Sequence, residues 1–162
     1  MSKSKTPVRR AIVTPDKHFP LADLPAINVV CQTIEIVKPD LYIDLGDVGE
    51  WEGSSHWKWK KRKRPPLEYQ LPSIKKDIAD VNKGMDIIDE SLDKVNCSNK
   101  HMIEGNHDNW MNCFTDEHPY LNYRFKDAVD LEGRGYTYHP MGKYLKIGKL
   151  YFYHGHHFAS MH

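Results

Sequence analysis

Four short segments carry residue types that bind metals or move protons: Asp16-Lys17-His18, Gly46-Asp47, Gly105-Asn106-His107-Asp108 and Tyr153-His154-Gly155-His156-His157. A set of carboxylates, an amide and one or two imidazoles suits borderline to hard divalent ions such as Mn, Fe, Zn or Mg rather than thiolate-loving metals. In an extended segment Asp16 and His18 face one side and Lys17 the other. Gly46 and Gly105 have a matching use, because a residue without Cβ permits a sharp turn off a strand and a close approach of backbone to an ion or phosphate. His154 closes a strand-like run and is again followed by glycine. Singly, each segment has a bland reading as surface polar residues or a turn, so the chemical reading rests on their order and their common place at strand ends.

Those segments need a frame to bring them together. The runs Arg10 to Thr14, Leu41 to Leu45 and His101 to Glu104 read as strands, each stopping at one of the segments. Between the first two, Ile27, Val30, Cys31, Ile34 and Val37 recur at helical spacing, and Pro39 stops the helix. Between the second and third, Ser73 after Pro72 reads as an N-cap, and Ile74, Ile78, Val81, Met85, Ile88, Leu92 and Val95 form one stripe. Such a stripe also suits a coiled-coil seam, but a short one flanked by strands reads as a helix docked on a sheet. After residue 130, aromatic and β-branched runs separated by Gly133, Gly135, Gly142 and Gly148 read as antiparallel strands and hairpins. The expected class is α/β, a parallel βαβαβ half followed by antiparallel strands. Ligands of an open α/β sheet bind at the carboxyl ends of its strands, where these loops converge.

The 162 residues have the length of a single domain, taken as 1–162. With 23 basic and 22 acidic residues the net charge is +1, so overall charge points to neither nucleic acid nor membrane. Cys31, Cys97 and Cys113 are odd in number and form no CxxC pair, which speaks for a reducing compartment without disulfides. No run approaches the about 18 apolar residues of a membrane span, and a cytoplasmic protein is expected. One stretch is biased: 51–69 reads as a basic, Trp-containing surface loop. Lys58, Lys60, Lys61, Arg62, Lys63 and Arg64 can neutralise phosphates, and Trp57 and Trp59, with Trp51 nearby, can stack on bases, a composition suited to single-stranded DNA or RNA. A solvated loop or a localisation signal has the same composition. The remaining aromatics, among them Trp110, Tyr120, Tyr123, Phe125, Tyr136 and Tyr138, read as core or strand-face residues.

DKH, GD, GNHD and HGH, in this order, resemble the calcineurin-like metallophosphoesterase superfamily, which includes phosphoprotein phosphatases, phosphodiesterases and nucleases that process DNA ends. The resemblance runs from Asp16 to His156, and GNHD is its most specific element. It implies a four-layer α-β-β-α sandwich with two divalent ions, Mn foremost and Fe, Zn, Ni or Mg as alternatives. It implies that Asp16 and His18 bind the first ion, that Asp47 bridges both, and that Asn106 and His154 bind the second. It implies that His107 is the catalytic histidine, with Asp108 orienting it by accepting a hydrogen bond. The reaction implied is in-line attack on phosphorus by an activated hydroxide, with no covalent protein nucleophile.

Family members finish with a GHxH segment that adds one histidine to each ion. Gly155-His156-His157-Phe158 begins like it but ends in Phe, so His154 is assigned to the preceding HG motif and the last segment is taken as absent. The expectation is a fragment of a longer protein. A degenerate site, or ligands from another chain, are the alternatives, with His156, His157 or His162 as substitutes. Compact members occur in bacteria and their phages, and a phage origin would by analogy place the chain in a host cytoplasm. The basic loop after Asp47 favours a phosphodiester, nucleic acid included, over a phosphoprotein. The competing class is a catalytically inactive nucleic-acid-binding module.

Overall fold

Strands β1 (Ala11–Thr14), β2 (Leu41–Asp44), β3 (Lys100–Ile103) and β4 (Tyr136–His139) form one parallel sheet in the order β1-β2-β3-β4. The computed structural model describes residues 10–156. Ala11 lies opposite Leu41, Tyr42 opposite Lys100 and Ile103 opposite His139, so successive strands end level with one another. β2 is buried on both faces, as an apolar run in a parallel sheet should be.

Helices α1 (Leu24–Val37), α3 (Leu67–Lys94) and α4 (Asn106–Glu117) connect the strands, with short helices α2 (His56–Trp59) and α5 (Phe125–Ala128) between them. Ile27 and Ile34 of α1, Ile74, Val81 and Ile88 of α3 and Met111 and Phe114 of α4 share one core with Tyr42, Met102 and Tyr136, so these helices cover a single face of the sheet. The opposite face, Leu41, Ile43 and Ile103, packs on Leu145 of an antiparallel hairpin, β5 (Leu145–Ile147) and β6 (Leu150–Phe152). The described residues thus make a helical layer, a parallel sheet and a small second sheet. No described helix is long and apolar enough to cross a membrane.

Several boundaries differ from expectation. Tyr136–His139 is the fourth parallel strand rather than part of an antiparallel region, because α4 and α5 intervene and return the chain to the same end of the sheet. Helix α3 starts at Leu67, with Pro72 inside it and Ser73 not a cap. The buried Gln70 amide donates to the Pro65 carbonyl at 2.7 Å and anchors those added turns. Residues 51–55 are largely interior rather than surface loop, with Trp51 fully buried. Cys31 and Cys97 are buried free thiols, and Cys113 is half-buried.

At the amino end of β3 and β4, the buried Asp89 carboxylate receives Lys100 Nζ at 3.1 Å, Arg134 Nη1 at 2.6 Å and the Tyr136 hydroxyl at 3.0 Å. This polar knot pins α3 to the sheet at the end opposite the strand-end loops.

Candidate metal centre

The loops after β1 and β2 stay paired beyond the sheet. The N–H of Asp16 donates to the Gly46 carbonyl at 3.0 Å, that of His18 to Asp47 at 3.0 Å, and that of Phe19 to Val48 at 2.9 Å. Asp16, His18, Asp47 and Trp51 all take positive φ, between 48° and 53°. Left-handed backbone is costly for residues with a Cβ, and such residues gather at functional sites. The segment is not extended as expected, because Asp16 and His18 are left-handed, and Lys17 is buried with its Nζ 2.6 Å from the Asp44 carboxylate. Burial pushes the Asp44 carboxyl up, and Lys17 opposes that shift.

Asp47 is the hub. Its Oδ1 accepts the His107 N–H at 2.7 Å, at the first turn of α4, where the helix dipole favours negative charge. Its Oδ2 lies 3.3 Å from His154 Nε2 and 3.9 Å from His18 Nε2. Burial raises the Asp47 carboxyl, but hydrogen bonds from His154 and the His107 N–H outweigh it and hold the group below its usual range.

Two groups of donors surround this carboxylate. On one side, ligand atoms of Asp16, His18 and Asp47 lie within 4.8 Å of one another. On the other, His154 Nδ1 sits 2.9 Å from the Leu45 carbonyl, an acceptor, so Nδ1 carries the ring proton and Nε2 faces Asn106 Oδ1 at 2.9 Å and Asp47 Oδ2 at 3.3 Å. As oriented, three acceptor atoms point at one place, which a proton on the imidazole or a metal ion there would satisfy. Burial disfavours the His154 charge, yet the hydrogen bond and charge of Asp47 raise its pKa overall. His18 repeats the theme: its buried Nδ1 has no aligned hydrogen bond, although Glu50 Oε2 is 2.9 Å away. The donor set therefore fits divalent ions, and all five residues read from the sequence, Asp16, His18, Asp47, Asn106 and His154, meet at one edge.

His107 lies at the rim of this cluster. Its Nδ1 is 3.2 Å from the Glu50 carbonyl, which fixes the proton on Nδ1 and leaves Nε2 as the outward atom. Its ring stacks on Trp110 at 3.9 Å and meets His18 edge-on at 4.7 Å. Asp108 does not orient it. The Asp108 carboxylate is fully buried and accepts instead from the N–H groups of Asp47 at 2.8 Å and Gly105 at 3.1 Å and from Trp51 Nε1 at 2.8 Å. Five residues on from the end of β3, it points into the protein and ties two loops together. Burial pushes its carboxyl up to about 7, against the lowering by the Trp51 donor. Glu50, Trp51 and Trp110 are thus site residues that the sequence reading missed or placed elsewhere. Their only signal was proximity to GD and GNHD.

The basic loop separates into paired and unpaired cations. Lys58 pairs with Glu52, and Arg64 pairs with Glu117 at the far end of α4 and lies 3.1 Å from His56 Nδ1. By helix rise, Glu117 is about 16 Å from Asn106. Lys60 sits over the exposed Trp57 ring at 4.2 Å, while Trp59 is half-buried. Lys61, Arg62 and Lys63 are exposed and make no ion pair among the described residues. The His156 ring lies tilted against that of His154, with centroids 5.4 Å apart. His157, Phe158 and His162 lie outside the described residues.

No protein-family model matches this chain, and neither a curated protein nor a solved structure does.

Proposed function

We propose that the chain is a metal-dependent phosphoesterase of the calcineurin-like kind, built on the four-layer sandwich of that superfamily, with a preference for phosphodiesters, DNA or RNA among them, over phosphoproteins. The observation that carries this reading is Asp47, one carboxylate set between two groups of ligand atoms, Asp16 with His18 and Asn106 with His154. Two divalent ions bound there would lower the pKa of a water molecule and neutralise charge on phosphoryl oxygens. The residues supply the rest. Asp47 is held in place by the His107 N–H. His107 presents Nε2 at the rim, where as an acid it would donate to the leaving oxygen. Trp110 and the Glu50 carbonyl fix the plane of that ring.

The test is hydrolysis of phosphomonoester and phosphodiester model substrates by Mn-loaded wild type, Asp47→Asn and His107→Ala, with metal content measured on each. Asp47→Asn should lose metal and activity together, and His107→Ala should keep metal and lose activity. Metal content at background in wild type would sink the reading. A second reading, a catalytically inactive nucleic-acid-binding module, is favoured by the exposed Trp57 and by Lys61, Arg62 and Lys63, which make no ion pair among the described residues. It expects salt-dependent binding that survives His107→Ala and chelation.

A further inference from the structure

A cavity of about 320 Å³ opens beside the candidate metal centre, between the end of β3, the β4–β5 connection and the segment leaving β6. It shares His154 with that centre, and its walls are chiefly Met141, Tyr144, Tyr151 and Tyr153. Tyr144 and Tyr151 meet edge-on at 5.1 Å, so two aromatic walls are already placed against each other. Glu104 also lines the cavity, but its carboxylate is engaged by the Tyr138 hydroxyl, the Asn112 amide and the Met141 N–H. It therefore offers no bare negative charge to a second cation. Lys143 stands on the lining with no ion pair among the described residues.

The size is at the lower end for small-molecule sites, room for one ring system rather than a peptide or a lipid chain. An apolar ligand alone would make no use of the neighbouring metal centre, and a simple phosphate would make no use of the tyrosines. A flat ring joined to a phosphate satisfies both, with the ring against the tyrosines and the phosphate toward His154. We propose that this cavity is a nucleobase subsite, so that the ester taken at the metal centre is that of a nucleoside. The inference rests on the phosphoesterase reading for the identity of the neighbouring site, and on the cavity alone for the ring.

The full chain, loaded with Mn, is titrated calorimetrically with thymidine 5′-monophosphate and with ribose 5-phosphate, which lacks the base. The nucleotide should bind about tenfold more tightly, the order of one aromatic stacking contact. In Tyr144→Ala and Tyr151→Ala, both at exposed positions where folding is not at stake, the ratio should fall toward one. Equal affinities in wild type, or a preference that persists in both variants, would overturn the subsite. Hydrolysis of methyl p-nitrophenyl phosphate, which has no base, tests the enzyme reading separately. Turnover of that ester without any base preference sinks the subsite and leaves the phosphoesterase standing. A base preference in binding with no turnover of any ester does the reverse.

Discussion

The indole N–H of Trp51 donates to the Asp108 carboxylate at 2.8 Å, with both side chains fully buried. This bond joins the loop after β2 to the first turn of α4, and the same carboxylate holds the N–H groups of Asp47 and Gly105. Two of the candidate metal-ligand segments are thereby locked in register. Asp108→Ala strands these buried donors at a cost of about 1–3 kcal/mol each, whereas Trp51→Phe removes one donor and keeps most of the packing. Denaturant unfolding should rank Asp108→Ala well below Trp51→Phe. Mn affinity should fall about 10–100-fold in Asp108→Ala, as for other residues that hold ligands in place. Unaltered Mn affinity would show that the loops keep their geometry without the tie.

Two glycines make that geometry possible. A Cβ on Gly105 would lie 2.2 Å from Asp47 Oδ1 and 2.3 Å from its N, while Gly46 has φ +95° and a Cβ there would lie 2.3 Å from the Gly105 N. Gly105→Ala must therefore push the Asp47 carboxylate away, and the expected result is loss of Mn binding together with lower stability. Gly155→Ala is the control, because nothing lies within 4 Å of its Cβ position. It should fall within about 0.5 kcal/mol of wild type. Mn content and unfolding midpoints of the two variants decide the matter.

Strand ends were legible because they combine apolar runs with glycine, and the ligand types sit directly after them. The α1 stripe was legible for the same reason, as Ile27, Cys31 and Ile34 became its buried face. What failed was local reading of residues whose role depends on distant partners. Asp108 looks like a partner for its neighbour His107, but the turn into α4 aims it at Asp47 and Trp51, about 60 positions earlier in sequence. Trp51 looked like part of a polar loop because its neighbours are charged, and distant partners, Asp108 of α4 and Phe125 of α5 among them, make it interior. Helix α4 was invisible as a stripe because its first turn carries chemistry instead of apolar residues, and Pro72 hid the true start of α3.

The far end of the sheet offers a separation of stability from function. Asp89 is the shared acceptor of Lys100, Arg134 and Tyr136, and Lys100 is itself buried. Asp89→Ala leaves a buried ammonium unpaired, and breaking a buried pair in this way costs about 3–5 kcal/mol. The unfolding midpoint should drop accordingly, while the folded fraction should keep the Mn stoichiometry of wild type. A loss of metal from folded Asp89→Ala would mean that the two ends of the sheet are coupled.

The proposed preference for nucleic acid rests on the basic-loop cations that make no ion pair among the described residues. Among the described residues Lys61, Arg62 and Lys63 have no ion pair to give up, unlike Lys58 and Arg64, so they can neutralise phosphates. Each single-strand phosphate contact contributes about 0.7 to the slope of log K against log salt, so the triple Ala variant should flatten that slope by about 2. Trp57→Ala should instead weaken binding by about 1–3 kcal/mol without altering the slope, since stacking releases no counterions. Fluorescence anisotropy of a labelled oligonucleotide across a salt series separates the two contributions. A slope that is the same in wild type and the triple variant would make the loop a solvated surface. The proposed nucleic-acid preference would then depend on the tyrosine-lined cavity alone.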